Sequence, residues 1–460
     1  GVKLSAAPLV GGGGGSGLAA WVGLGAVSQA NSSSTDNNDT AAATQAVKDI
    51  STFAQNNTEG LQQVTGKVPT LDTYAAAHIQ GVNADNLNII NAALATAAID
   101  GNKTNTAEKI QTLINAYNAV LAEANGGQPD ATPNAGPTAE QYSIIGVTGV
   151  DSAAKAGLLN DIVGTRETAD VDVIDKIQAL ANDAAAIVNY TGASGQTAPS
   201  QAQLHAVTTG VTSDNLIAIQ AAIAAANASG QTIGSQAALQ EVVNTAVINF
   251  QAALDAIQSA ADNNTATDAT PSLAQYAAIG VNGITAENLH AINSAYNSAA
   301  LRGVNVDTAH EVQAIIDAYN TLLAEANGSV ADATPSAQPT AEQYAVIGIK
   351  GTDNPATLAL LDDVIGQKTS SDIDSFNKLQ GLVDAVATSV TYSGGANQTA
   401  PTQAQLDQLV GGVTADNLSA IQAAIAAANA DGQPIATQAE LQDVVHTAEF
   451  KYDLALHHLS

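Results

Sequence analysis

The chain has 460 residues, 13 Lys+Arg against 43 Asp+Glu, a formal charge of −30, only 12% charged and 3% aromatic residues, and neither Cys nor Met. Without cysteine there is no disulfide, thiolate metal site, covalent c-type haem or Cys nucleophile. The acidic balance argues against nucleic acid and anionic lipid as partners, because both are recognised by clustered Lys/Arg.

Residues 1–40 open the chain with an uncharged, Gly-rich hydrophobic stretch from Leu9 to Val27, which holds the single tryptophan, Trp21. A polar Asn/Ser/Thr/Asp segment follows at 31–40. Three readings compete for the stretch: a membrane span, weakened by its glycines; an export signal ending in the small-x-small pattern Ser28-Gln29-Ala30; and an arm that inserts into a neighbouring subunit. The third is favoured over a membrane span, and it makes Leu9, Val10, Leu18, Trp21, Val22, Leu24 and Val27 the candidate assembly residues. A start at Gly1 without any methionine leads us to expect a processed chain or a fragment, and removal of an N-terminal segment fits export. Residues 41–66 read as a lone amphipathic helix carrying Val47, Ile50, Phe53 and Leu61.

From there the chain repeats. Pro69, Pro137, Pro199, Pro271, Pro339 and Pro401 each open a similar segment, and the first three segments recur as the last three at an offset of 202 residues. Residues 211–240 and 413–442 share 23 of 30 positions. Tyr74, Tyr117, Tyr142 and Tyr190 are repeated as Tyr276, Tyr319, Tyr344 and Tyr392, while Phe250 maps onto Tyr452 and Leu94 onto Tyr296. The expected fold class is therefore all-α, a tandem array of six three-helix bundles in a duplicated three-module block. The module boundaries are 69–136, 137–198, 199–270, 271–338, 339–400 and 401–460.

Within a module, Pro-Ser/Thr-x-x-Gln predicts a capping box at the first helix, with the first module departing at Thr73. Thr212, Thr285 and Thr414 are the expected caps of the second helix, ahead of Asp214-Asn215-Leu216 and its counterparts. The third is the most regular, with Val312, Ile315, Ile316, Tyr319, Leu322 and Leu323 at helical spacing and Gly328 as its C-cap, as Gly126 is in the first module. Segments 127–137, 191–199, 261–271, 329–339 and 393–401 read as linkers. Bundles this small are marginal alone, so neighbours are expected to stabilise one another.

Signals for chemistry are weak. None of the seven histidines (78, 205, 290, 310, 446, 457 and 458) forms a zinc-type motif, and all read as solvated. Asp362-Asp363, matching Asn160-Asp161, read as a solvated helix face. Gly11–Gly15 lacks the Gly-Lys-Ser/Thr ending of a phosphate loop, and there is no Gly-x-Ser-x-Gly elbow. No cofactor is expected; calcium is the one cation that the acidic loops 36–39, 262–268 and 330–332 admit, without a defined ligand set.

Pro-Thr-Ala-Glu-Gln-Tyr at 137–142 and 339–344, with Gly-Val-Thr-Ala-Asp-Asn-Leu at 412–418, resembles the helical repeats of large bacterial surface and biofilm adhesins. The resemblance covers about residues 69–460. It implies an extracellular structural or adhesive role and carries over no catalytic residue. The leading expectation is a secreted structural protein that polymerises head-to-tail into a filament or surface layer. The alternative is a cell-surface adhesin fragment whose bundles bind a host protein or glycan; an enzyme is not expected.

Overall fold

The computed structural model describes residues 33–61, 64–127, 136–263, 270–328, 339–432 and 435–460. They are mostly helical, and no strand occurs among them. In chain order the helices are α1 (Ser33–Asn56), α2 (Leu71–Ala76), α3 (Leu87–Leu94), α4 (Ala107–Glu123), α5 (Ala139–Ile144), α6 (Ala153–Gly164) and α7 (Ile174–Val188). Next come α8 (Gln201–His205), α9 (Leu216–Ala228), α10 (Gln236–Asn263), α11 (Leu273–Ala278), α12 (Leu289–Ser294) and α13 (Ala309–Glu325). The last six are α14 (Ala341–Val346), α15 (Pro355–Gln367), α16 (Phe376–Thr391), α17 (Gln403–Asp407), α18 (Leu418–Ala430) and α19 (Gln438–Leu459). Two compact units divide the chain. One comprises the described part of Gly1–Thr212 with Ile219–Thr245, and the other Ser213–Ala218 with Ala246–Ser460.

The short helices α2, α5, α8, α11, α14 and α17 are too brief to persist through propensity alone, so their caps matter. At α5 the Thr138 amide donates to Gln141 Oε1 at 2.9 Å while Gln141 N donates to Thr138 Oγ1 at 3.1 Å. The same reciprocal pair recurs at Ser200, Ser272, Thr340 and Thr402. Thr73 departs from the sequence pattern without losing the motif: its Oγ1 accepts from Thr70 N at 3.0 Å, so a hydroxyl does what the amide does elsewhere. Thr138→Ala should cost about 1 kcal/mol, measured as a lowered midpoint in thermal unfolding.

Of the expected second-helix caps, Thr414 takes up a backbone amide, its Oγ1 accepting from Asn417 N at 3.2 Å, but the residue next to the helix is an asparagine. α3, α12 and α18 are led by Asn86, Asn288 and Asn417, none of which makes a side-chain cap. These asparagines turn backwards instead. Asn288 Oδ1 accepts from Thr285 N at 2.7 Å, and its Nδ2 donates to Gly283 O at 2.8 Å and to Asn320 Oδ1 at 2.9 Å. Asn86, Gly81 and Asn118 repeat the arrangement in the first unit. The threonine is thus the anchored end of the turn, and the amide locks the turn to the following long helix.

Two further expectations are corrected. The N-terminal helix is neither lone nor confined to 41–66: α1 begins at Ser33, within the segment read as polar linker, and packs against α2 and residues 101–103. Acidic residues 36–39 consequently lie on a helix and form no loop. Gly126 and Gly328 do take the left-handed conformation, both at φ 72°, yet they do not close their own helices. Their amides donate to Arg166 O and Lys368 O, tying each long helix to the segment that follows. The 191–199 and 393–401 linkers are held in shape by one side chain each. Gln196 Oε1 accepts from Thr191 N and Ala193 N, and Gln398 does the same for Ser393 and Gly395.

In the second unit one buried cluster runs unbroken from Phe250 to Ala448. Tyr74, Tyr117, Tyr142, Tyr276, Tyr296, Tyr319 and Tyr344 are all buried, as a core reading expects. Tyr190 and Tyr392 are half-exposed and stand outside it.

Candidate functional site

The proposed assembly residues Leu9, Val10, Leu18, Trp21, Val22, Leu24 and Val27 lie outside the described residues, as does most of the acidic stretches at 262–268 and 330–332. Among the described residues no group of three His, Asp or Glu is placed to hold a metal. No helix of the described residues is long and apolar enough to cross a membrane. Two features absent from the sequence reading stand out: a buried polar bolt, complete in three of the six repeats, and a helix, α19, whose last apolar residues are exposed where those of its sequence copy are buried.

The bolt joins the first helix of a repeat, its second helix and the carbonyl of the opening proline. Tyr74 donates to Asn91 Oδ1 at 2.7 Å, and Asn91 Nδ2 donates to Pro69 O at 2.9 Å. Tyr142 and Asn160 do the same with Pro137, and Tyr276 and Asn293 with Pro271. In the segments opened by Pro199 and Pro401, Leu204 and Leu406 stand in the tyrosine position, and Gln220 and Gln422 reach the proline carbonyls at 2.8 Å. A proline supplies an acceptor without a donor, so an amide is the natural partner.

The segment opened by Pro339 breaks the pattern with a carboxyl group. Asp362, read from sequence as part of a solvated face, is buried and accepts from Tyr344 at 2.7 Å. Asp363 is also engaged, its Oδ2 accepting from Gln438 N at 2.7 Å, as Asp161 does from Gln236. Burial, opposed by the tyrosine bond and reinforced by the nearby Glu325 charge, pushes Asp362 up to about 6. Its ionised form can donate nothing to Pro339; its protonated form can. The folded-state value lies above the ordinary carboxylate value, so the contribution is complete below about pH 4 and is lost as pH rises through about 6. Asp362→Asn should restore the amide of the other repeats and add about 1–2 kcal/mol at neutral pH, after allowance for solvent screening. The stability gap between variant and parent should shrink as pH falls from about 7.5 to about 4.5, read by thermal unfolding.

His78, His205 and His310 are exposed, as the solvated reading expects, yet each has a polar neighbour. His205 Nε2 lies 2.8 Å from Val211 O. His310 opens α13, where Asp214 receives its backbone amide at 3.0 Å, its Nδ1 at 2.6 Å and the Ala309 amide at 2.9 Å. Burial pushes the Asp214 carboxyl up, but these bonds hold it below its ordinary value. His78 is the one non-glycine with positive φ among the described residues, at 59°, and its Nε2 is 3.6 Å from Asp39 on α1.

The uncovered face belongs to a helix whose sequence copy is covered. Residues 438–459 of α19 correspond to 236–257 of α10. In α10, Leu254 is 3% and Ile257 0% exposed; their counterparts Leu456 and Leu459 are 49% and 85% exposed. Phe450, also exposed, matches the equally exposed Ile248, so the difference is confined to one face. Comparison with protein-family models, with curated proteins and with solved structures finds no match.

Proposed function

We propose that the chain is a secreted structural protein of six small helical modules that self-assembles into an extracellular filament or surface layer. The observation that carries this reading is the tandem repeat itself, whose second unit packs its successive segments into one buried cluster from Phe250 to Ala448. The low charge density and the amide- and hydroxyl-rich surface suit a building material, and the −30 formal charge is spread along the whole sequence without one concentrated site. In this reading the hydrophobic residues of 9–27 add a further subunit contact, no cofactor takes part and no catalysis is performed.

The test is sedimentation velocity of the purified chain over a wide concentration range, followed by negative-stain microscopy. Concentration-dependent assembly into filaments or sheets is expected, and a stable monomer at all concentrations would remove the proposal. The second reading, an adhesin fragment, rests on the sequence resemblance and predicts monomeric rods that bind a protein or glycan.

A further inference from the structure

We infer that Tyr190 and Tyr392, each fixed at the root of an uncharged, internally braced loop, form two equivalent binding sites for a neutral polysaccharide. These sites are independent of self-assembly.

The two residues differ from the tyrosines of the core. Seven of the ten tyrosines are buried. Every one of those seven hydroxyls is engaged inside the protein, by Asn91, Val171 O, Asn160, Asn293, the Tyr276–Tyr296 pair, Ile373 O or Asp362. Tyr190 and Tyr392 stand at matching places 202 residues apart, are half-exposed, and neither hydroxyl has a partner among the described residues. Around them the copies diverge: Asn189 becomes Thr391, Ser194 becomes Ala396 and Gly195 becomes Asn397, while the ring stays. Packing accounts for the seven buried rings and gives no reason for these two.

Each of the two is held by its main chain on both sides. Asn227 Nδ2 donates to Tyr190 O at 2.8 Å, and Asn429 Nδ2 donates to Tyr392 O at 2.8 Å. One residue further on, Gln196 Oε1 accepts from Thr191 N, Thr191 Oγ1 and Ala193 N, and its Nε2 donates to Asn189 O at 3.1 Å. Gln398 repeats all four contacts with Ser393, Gly395 and Thr391. Gly192 and Gly394, at φ 77° and 87°, turn the loops in beside Ala224 and Ala426. Bracing of this kind leaves little to order when a ligand arrives, which is where weak surface sites lose affinity.

The surroundings select the ligand. Residues 190–199 and 392–401 contain no charged side chain, in a chain of formal charge −30. Thr191, Ser194 and Thr197 are exposed on the first loop, and Ser393, Asn397 and Thr399 on the second. A rigid aromatic ring with a rim of hydroxyls and amides complements a pyranose, which has a C–H face and a rim of hydroxyls. Anionic glycans and nucleic acids are disfavoured by the acidic chain. A peptide is disfavoured because neither loop offers a second large apolar side chain to seat one of its own. A polysaccharide presents the same sugar many times over, which suits a protein that presents the same site twice.

The test titrates the full chain with maltohexaose, cellohexaose and chitohexaose, using isothermal calorimetry and saturation-transfer NMR. An alginate hexamer and an oligoproline decamer are the controls for an anionic glycan and for a peptide. At least one neutral hexasaccharide should bind at two sites per chain, with both controls unbound. Tyr190→Ala and Tyr392→Ala should each remove one site, and the two together should weaken binding at least tenfold. Tyr190→Phe/Tyr392→Phe keeps the rings and should stay within several-fold of the parent. Circular dichroism checks that the alanine variants, altered at half-exposed positions, keep their helices. The inference fails if no neutral hexasaccharide binds, if the double alanine variant binds like the parent, or if a control binds as tightly as the sugars do.

Discussion

Replacing Asn293 with leucine is expected to destabilise the protein by about 2–4 kcal/mol, the cost of leaving buried hydrogen-bonding groups without a partner. Asn293 accepts from Tyr276 at 2.6 Å and donates to Pro271 O at 2.8 Å, and Tyr276 also lies 2.9 Å from the Tyr296 hydroxyl. Leucine is close to asparagine in shape, so the larger part of the loss is polar. The two tyrosines can still bond to one another, but the proline carbonyl is left with no donor. Asn293→Asp is the informative companion. It reproduces the carboxyl that Asp362 brings to its own repeat, and should make stability pH-dependent in the same sense, higher in acid and lower at neutral pH. Thermal unfolding of the three chains at two pH values separates the outcomes. A leucine variant as stable as the parent would show that the bolt contributes nothing net.

The second large effect is a contrast between duplicates. Leu254→Ala should cost about 2–4 kcal/mol, because it opens a cavity beneath a side chain that is 3% exposed. Leu456→Ala, at the matching position 202 residues later and 49% exposed, should cost under about 0.5 kcal/mol in dilute solution. Chemical denaturation below the concentration of any association measures both. Equal, small effects at both sites at every concentration would contradict the burial difference.

Much of the architecture is legible in the primary structure because its causes are local. A hydroxyl three residues before a glutamine satisfies helix-end amides wherever it occurs, and the 202-residue offset needs no coordinates to be read. Helical spacing likewise places Ile315, Tyr319 and Leu322 on a buried face. Sequence reasoning fails where a residue's partner lies far away along the chain. Asn288 resembles an ordinary first-turn residue until Asn320, 32 positions on, is seen to accept from it. Asp362 matches an asparagine in the other copy, which suggests an exposed polar site; what makes it buried is the packing that brings Tyr344 to it from another helix. Spacing puts the tyrosines in the core, yet the main-chain oxygens that their hydroxyls reach, such as Val171 O and Ile373 O, carry no side-chain signature.

The same limit governs the functional reading. Composition, the repeat and the capping chemistry are properties of short segments, so the chain alone determined a helical, acidic, cysteine-free repeat protein. Burial is a property of surroundings, and near-identical segments can have different surroundings. Leu254 and Leu456 carry the same side chain in matching helices, and tertiary structure alone decided that one meets a packed neighbour while the other meets water.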